Sequence, residues 1–233
     1  MIEEILLLSD PTLIDDLDAF LVRANPRLVV THIVTRAQLD ECCARSLSKT
    51  RLLSFGSELI VPGAILGRLG GGAYNFHPGP PTYPGRYPSS FFIYDGGTAF
   101  GSTVHEMAAK VDSGAIHAVD WFEAKADVDC VTLNTMSYHS LMAMFERLAP
   151  HLSQNQARLS HSDDVWSGRT TTQADFNALC RLPENVSEEE FGRRYRAVGE
   201  GPDHALEIIL HGHRFKLDNQ HSAPDVKIGG KTR

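Results

Sequence analysis

The chain has 233 residues, 42% of them hydrophobic and 22% charged, which is enough for one large domain with an ordinary core. Its formal net charge of −7 disfavours extended binding to nucleic acid, because an acidic surface repels phosphates. The N-terminal MIEEILLLSD is unlike a signal peptide, and no stretch approaches the roughly 18 apolar residues that span a bilayer. Four cysteines without CxxC spacing indicate a reducing compartment, so we expect a cytoplasmic protein without membrane contact.

Short apolar segments alternate with amphipathic ones in the first third of the chain. We predict strands at residues 4–9, 28–34, 51–56 and 73–77, helices at 12–24 and 37–47, and a short helix after Pro62. This alternation is typical of parallel βαβ units and predicts an open, mostly parallel α/β sheet. Ligands of such sheets bind at the carboxyl ends of the strands, where Gly56 and His77 are expected.

The composition of the chain changes at two points after the fourth predicted strand. A loop at residues 78–88 carries five prolines and two glycines. Beyond it we predict a helix at 89–96, strands at 101–107 and 115–122, a helix at 131–152, a charged helix at 188–199, and two strands within 204–217 turning at Gly212. The polar segment after Ser153 is expected to connect the main domain to a small C-terminal α+β extension, a candidate for homodimer contacts, and the last dozen residues look frayed.

The segment AYNFHPGPP, residues 73–81, ends a predicted strand with two polar side chains. Successive strand residues face opposite sides, so Asn75 and His77 share one face while Phe76 packs on the other. An amide donor stabilises negative charge that develops on a carbonyl oxygen, and an imidazole moves protons near neutral pH. The pair is suited to attack on a carbonyl, although Asn-x-His alone is more often simply a polar strand end.

The longer stretch NFHPGPPTYPGRYPSSFFIYDGGTAFGSTVHEMAAKVDSGAI, residues 75–116, resembles the signature of the folate-dependent formyltransferases. Asn-x-His-Pro, a Pro- and Gly-rich loop, a Gly-x-Thr strand and an Asp-x-Gly loop occur in the family's order. The matching residues are Asn75, His77, Pro78, Tyr83, Pro84, Gly85, Gly101, Thr103, Asp112 and Gly114. SFGSELIVPGAIL, residues 54–66, is also similar to the family's strand and loop beside the pterin pocket.

The resemblance implies a Rossmann-like formyltransferase sheet, with a catalytic domain at residues 1–153 and a linker and small extension at 154–233. It further implies that N10-formyltetrahydrofolate is the formyl donor and a primary amine the acceptor. By the same resemblance, Asn75, His77 and Asp112 are the catalytic residues. Asn75 and a protonated His77 would stabilise the tetrahedral oxyanion, while Asp112 pairs with His77 and collects the amine's proton through water.

The pterin ring is expected to bind mainly to main-chain groups. The resemblance places these groups at Ser57, Leu59 and Val61 on one loop and at Lys110, Val111 and Asp112 on another. Side-chain identity has little importance at such positions, so the residue types themselves give no independent support.

The same residues allow rival interpretations. A metal site is available in principle from side chains of the right type: His77, His105, Asp112, His117, His211 and His213. None of them has a known zinc spacing, so no metal is predicted, and His211 and His213 are expected to be exposed on a hairpin. LLLSDPTLID lacks the glycine-rich phosphate turn of a dinucleotide site and of the glycinamide ribonucleotide branch.

The branches of the family differ in their acceptors. The methionyl-tRNA branch carries a further C-terminal barrel, for which the residues after Ser153 are too few, and the acidic charge suits tRNA poorly. Formyltetrahydrofolate hydrolases usually have a preceding regulatory domain, and none fits before Glu4. The branch that formylates nucleotide-linked amino sugars is most similar in its HPGPPxYPG loop; another small amine, or a folate-binding protein with a retired site, are the remaining alternatives.

Two C-terminal features match no motif. Trp166 is available to stack on an acceptor base, but a single tryptophan more often packs within the protein. Arg193, Arg194 and Arg196 are able to meet a phosphate, but on a helix rich in glutamate they are expected to form a solvated face.

Overall fold

A computed structural model describes residues 1–199 and 205–218. The first unit begins with β1 (Glu4–Ser9), a short 3-10 turn (Pro11–Leu13), α1 (Ile14–Ala24), β2 (Val29–Ile33), α2 (Arg36–Cys42), β3 (Thr50–Phe55), α3 (Gly63–Leu66) and β4 (Ala73–His77). It continues with α4 (Pro88–Asp95), β5 (Ala99–Glu106), β6 (Ile116–Glu123) and α5 (Cys130–Gln154). The smaller part that follows contains α6 (Gln173–Cys180), β7 (Arg181–Leu182), α7 (Glu188–Ala197), β8 (Glu207–Leu210) and β9 (His213–Lys216).

Six strands form the central sheet in the order β2-β1-β3-β4-β5-β6. The first four strands are parallel, whereas β5 and β6 are antiparallel to their neighbours. A second sheet has three strands in the order β7-β8-β9. The predicted class, an open and mostly parallel α/β sheet with a small C-terminal α+β extension, is therefore confirmed.

Alternation along the buried strands divides the core between the two faces of the sheet. Leu7 of β1 and Phe76 of β4 belong to one cluster, which α1 and α5 cover. Leu8 of β1 and Leu52 of β3 belong to a second cluster on the opposite face, beside α2 and α3. A strand buried on both faces needs apolar residues at nearly every position, which is why LLL in β1 and LL in β3 identify parallel strands.

The helix boundaries follow from local capping. The Thr35 side chain caps α2 by accepting from the Gln38 backbone amide. The Gln38 side chain in turn accepts from the Thr35 backbone amide, which completes a capping box. Asp129 begins α5 in a similar way, accepting from the amide of Thr132 at 2.7 Å. α2 ends at Cys42, five residues before the predicted end, because Ala44 to Leu47 form a turn into β3.

The C-terminal part corrects two expectations. The segment after Ser153 was predicted to be a polar connection, but α6 begins within it and β7 follows directly. A capping box at Thr172 begins this helix, and Leu179 and Cys180 at its end are buried.

Arg196 is exposed and Arg193 keeps 40% of its side chain exposed, as predicted, whereas the Arg194 side chain is only 18% exposed. Arg193 donates to the carbonyl of Tyr94, and Arg194 donates to three carbonyls at the end of α6, so their donors are already engaged by the main chain.

Three further expectations concern the exposure of two histidines, the last dozen residues and helices that span a membrane. His211 and His213 are exposed on the hairpin between β8 and β9, as predicted. The last dozen residues lie outside the described part of the chain. Within residues 1–199 and 205–218, no helix combines the length and apolar character needed to cross a bilayer.

Arg51 of β3 is fully buried, with an exposed fraction of 0%. Its guanidinium donates to the carbonyls of Gly71 at 2.8 Å, Leu152 at 2.6 Å and Ala157 at 2.9 Å, and it lies 5.4 Å from the ring centre of Tyr74. The planar fork of arginine satisfies several carbonyls that a shorter or single-headed cation cannot reach together. Arg51 therefore joins the sheet to the end of α5 and to the chain that leaves it.

We expect Arg51→Met to lower the free energy of unfolding by at least about 3 kcal/mol, because it leaves several buried carbonyls without donors. Urea unfolding measures this change. The matched control is Arg23→Met, which removes an exposed ion pair with Glu146 and should cost less than about 1 kcal/mol. Equal losses in the two variants would contradict the structural role of Arg51.

Candidate active site

Strand β4 delivers two polar side chains to one face of the sheet. Phe76 packs into the core on the other face, with its ring centre 5.0 Å from that of Phe145. Asn75 and His77 consequently point away from α5, as the alternation predicts. Antiparallel pairing with β5 places His105 opposite Asn75 and Thr103 opposite His77, so all four side chains share this face.

The proline-rich loop, residues 78–87, is held against this face by close contacts. Thr103 donates its hydroxyl hydrogen to the carbonyl of Gly79 at 2.8 Å. A Cβ on Gly79 would lie 2.8 Å from His77 Nε2, so only glycine permits this approach. Gly85 has a φ of +98°, and a Cβ there would lie 2.2 Å from the carbonyl oxygen of Thr171. The glycines of the motif thus allow the loop to pass directly over His77.

Asp112 is the centre of the cluster. The carboxylate of Asp112 is buried. The backbone φ of this residue, +44°, lies in the left-handed region, which costs a non-glycine residue about 1–2 kcal/mol. Oδ2 accepts from the amide of Gly85 at 2.7 Å and lies 3.5 Å from His77 Nδ1. Oδ1 lies 3.1 Å from His105 Nε2. One carboxylate therefore contacts two imidazoles and the proline-rich loop.

The hydrogen-bond partners show where a proton is shared within the cluster. His105 Nδ1 is 2.9 Å from the carbonyl of Glu106, so Nδ1 carries a hydrogen, and Nε2 lies 3.2 Å from Asn75 Nδ2. Nε2 also lies 3.1 Å from Asp112 Oδ1, which is a hydrogen-bond distance when a proton lies between the two atoms. The pair of His105 and Asp112 is consequently arranged to share one proton.

Burial and charge act in opposite directions on these groups. Burial lowers the pKa of His77, and the charge of Asp112 offsets this effect only in part. Burial also opposes ionisation of Asp112, but His105, His77 and the Gly85 amide together hold the pKa of that carboxyl below its usual range. His77 Nε2–H donates to the carbonyl of Tyr83 at 3.0 Å, while Nδ1 faces Oδ2 of the ionised Asp112.

A cavity of about 90 Å³ opens beside this cluster, between the loop after β3 and the loop after β5. Asn75, His105 and Asp112 line one end of it. The five residues expected near the pterin ring also line it: Ser57, Leu59, Val61, Lys110 and Val111. Two separated loops and the strand ends thus meet in one place, and the cavity has both apolar and polar walls.

The backbone of this cavity is suited to a polar, flat ligand. Val61 is nearly fully buried, yet no backbone hydrogen bond within the described residues involves it, and the same holds for the half-exposed Val111. Main-chain amides and carbonyls without protein partners are available to a heterocycle that has its own donors and acceptors. The residues present therefore fit recognition of a pterin by main-chain groups.

A larger cavity, of about 270 Å³, lies on the other side of the proline-rich loop. Tyr83, Arg169, Asp175 and Arg194 are among its lining residues, and none of Asn75, His77 and Asp112 contributes. Because Arg194 is bound to carbonyls and the trio is absent, we assign the chemistry to the smaller cavity.

His105 was not predicted to belong to the catalytic cluster, because the sequence indicated this residue only as a possible metal ligand. The available signal was the period of two along β5, which places residue 105 on the face of Thr103. The described residues contain no group of three or more side chains arranged to hold a metal ion. His105 contacts Asn75 and Asp112 instead.

Trp166 lies against the same cluster from outside the cavity. Its ring centre is 5.9 Å from that of His77 and 5.0 Å from that of His105, both edge to face. The indole N–H donates to the carbonyl of Gly114 at 2.8 Å. Trp166 therefore packs within the protein, on the imidazoles.

Comparison with solved structures identifies the fold, whereas no family model matches the chain. A sugar N-formyltransferase from a Shewanella species has a TM-score of 0.74 at 16% identity, over 94% of this chain and 97% of that one. A 4-N formyltransferase from Francisella tularensis has a TM-score of 0.73 at 16% identity, over 91% and 95%. An N-formyltransferase from Helicobacter canadensis, solved with folinic acid and dTDP-3-aminofucose, has a TM-score of 0.63 at 14% identity, over 84% and 80%.

These similarities show that the chain has the fold of the formyltransferases. The fold extends over nearly the whole of this chain and of the first two solved structures. At such low identity the match concerns the backbone, and the chemistry must be argued from the cluster itself.

The bond between Thr103 and Gly79 yields a testable prediction. In Thr103→Val the proline-rich loop loses its donor, so we expect the Gly85 amide to exchange its hydrogen about tenfold faster. Amide exchange followed by NMR measures this rate. Ser102→Ala is the control, because it removes a buried hydroxyl on the opposite face of β5 that donates to the Ser137 carbonyl. Equal acceleration in both variants would contradict the assigned contact.

Proposed function

We propose that this protein transfers a formyl group from N10-formyltetrahydrofolate to the primary amine of a nucleotide-linked amino sugar. The observation that carries the proposal is the meeting of the pterin-type cavity with Asn75, His105 and Asp112 at one end. A donor whose ring occupies the cavity has its formyl group directed toward these side chains. The formyltransferase fold, and the presence of folinic acid and an amino sugar nucleotide in the Helicobacter canadensis structure, support the same assignment.

Formyl transfer makes two demands on a site. The amine nitrogen adds to the formyl carbon, which places negative charge on the formyl oxygen, and the bond from carbon to N10 then breaks. The amine must lose one proton, and N10 must gain one. The site must therefore stabilise an oxyanion and move a proton between two nitrogens.

Asn75 is assigned to the oxyanion. Its side-chain amide lines the cavity and has two N–H donors, and Nδ2 lies 3.2 Å from His105 Nε2. A donor of this amide is available to a formyl oxygen. Removing one such donor typically costs about 10²–10³ in rate.

We assign the transfer of the proton from the amine to N10 to Asp112 and His105. His105 Nε2 and Asp112 Oδ1 lie 3.1 Å apart, so the pair is placed to hold the proton that the amine releases in a hydrogen bond between these two atoms. Both residues line the cavity, and this position is available to return the proton to N10. A water between the amine and the pair is consistent with this route.

We assign two roles to His77: it pairs with the charged carboxylate of Asp112, and it helps to stabilise the oxyanion. Nδ1 faces Oδ2 of Asp112, and Nε2–H donates to the Tyr83 carbonyl. For His77 to stabilise the oxyanion directly, Nε2–H must exchange that carbonyl for the formyl oxygen. Either action depends on the proline-rich loop remaining over the imidazole.

The first experiment measures release of tetrahydrofolate from N10-formyltetrahydrofolate, with water alone and with a panel of amines that includes nucleotide-linked amino sugars. We expect release that requires an amino sugar nucleotide. Release with another amine class would keep the reaction and replace the acceptor, and release with water alone would make the protein a hydrolase. Folate binding without any release would favour a binding protein.

The catalytic assignment predicts a pattern among variants. His77→Ala and Asp112→Asn should each lower turnover at least about 10²-fold while folate binding remains measurable, because both act on the transition state. His32→Ala is a matched control, since His32 pairs with Asp18 at 3.0 Å on the far edge of the sheet. Turnover near that of the unmodified protein in either site variant would remove the assigned role.

A further inference from the structure

The chain that leaves α5 crosses the site before it reaches α6. We call residues 157–171 the crossing segment. The amide of Ser162 donates to the carbonyl of Ile116 at 2.8 Å, which attaches this segment to the edge of β6. The amide of Ser167 donates to the carbonyl of Pro81 at 3.0 Å, which attaches it to the proline-rich loop. Trp166 lies between these two attachments, over the imidazoles.

Trp166 contacts both imidazoles of the cluster and the turn that follows Asp112. Its ring meets His77 from β4 and His105 from β5 edge to face, and its N–H meets the carbonyl of Gly114, two residues after Asp112. His77 and His105 are the two imidazoles that contact the carboxylate of Asp112. One side chain thus contacts both rings and the turn that carries the carboxylate.

Tryptophan is the side chain that meets all of these requirements. Its double ring is wide enough to contact two imidazoles, and its N–H reaches a carbonyl that phenylalanine has no donor to satisfy. Trp166 does not line the cavity that we assign to folate. Its donor is engaged by Gly114, so stacking on an acceptor base would require it to leave this position.

We infer that Trp166 is a positioning residue for formyl transfer: it holds His77 and His105 in the orientations that face Asp112. Imidazole rings rotate about their side-chain bonds unless packing restricts them. A misplacement of about 1 Å in a catalytic group can cost about a hundredfold in rate. This inference rests on the proposed function for its effect on rate, but not for its effect on ring geometry.

The kinetic test uses two substitutions of different severity. Trp166→Ala removes both ring contacts and the donor, and should lower kcat at least about thirtyfold with little change in KM for either substrate. Trp166→Phe retains a ring on the imidazoles and should recover most of the rate, remaining less than tenfold below the unmodified enzyme. The control is Trp121→Phe, on an exposed tryptophan of β6, which should leave kcat unchanged.

Two kinetic results would overturn the inference. A rise in KM for the amine at constant kcat would make Trp166 an acceptor-binding residue. An unchanged kcat in Trp166→Ala would remove any role in the reaction. Urea unfolding of each variant separates these results from a general loss of folding.

A second measurement does not depend on the reaction. Carbon–proton NMR spectra of the imidazoles should show the His77 and His105 signals shifted and broadened in Trp166→Ala, and unchanged in Trp121→Phe. If the unmodified protein transfers no formyl group to any amine, the proposed function fails and these signals alone decide. Unchanged signals in Trp166→Ala would then overturn the positioning role.

Discussion

The burial of one carboxylate, Asp112, is the constraint on which the rest of the site depends. An isolated charge in the interior is expensive, so it must be surrounded by donors. The amide of Gly85 donates to it, and the imidazoles of His77 and His105 lie 3.5 and 3.1 Å from its two oxygens, from a loop and two different strands. Each partner fixes the position of a segment, and the left-handed backbone of Asp112 is maintained because these contacts outweigh its strain.

This constraint explains the glycines and the threonine of the motif. The proline-rich loop must pass close enough for its amide to reach the carboxylate. A side chain at Gly79 would meet His77, and one at Gly85 would meet the backbone of Thr171. Thr103 then ties the loop to β5 through a buried hydroxyl. Residues that take no part in the chemistry are required because they bring the reacting groups within hydrogen-bond distance.

The sheet divides stability and chemistry between its two faces. On one face, aromatic residues such as Phe76 pack with Phe145 of α5, and Arg51 connects the sheet to the end of that helix. On the other face, β4 and β5 present polar side chains to a cavity. Because alternate residues of one strand serve the two faces, a rigid core directly fixes the polar residues beside it. The division of the chain at residue 153 remains a prediction, and the crossing segment contacts the site from beyond that point.

The sequence by itself determined the elements whose signals are local. Apolar runs identified β1 to β4, the alternation around Phe76 assigned Asn75 and His77 to one face, and the ordered motifs indicated the fold and Asp112. Only the tertiary structure decided which distant groups meet. Three features depend on the order of the strands and on the return of the chain after α5: the contact of His105 with Asp112, the burial of Arg51, and the packing of Trp166 on two imidazoles. Such contacts join residues far apart in the chain, and no periodicity or spacing encodes them.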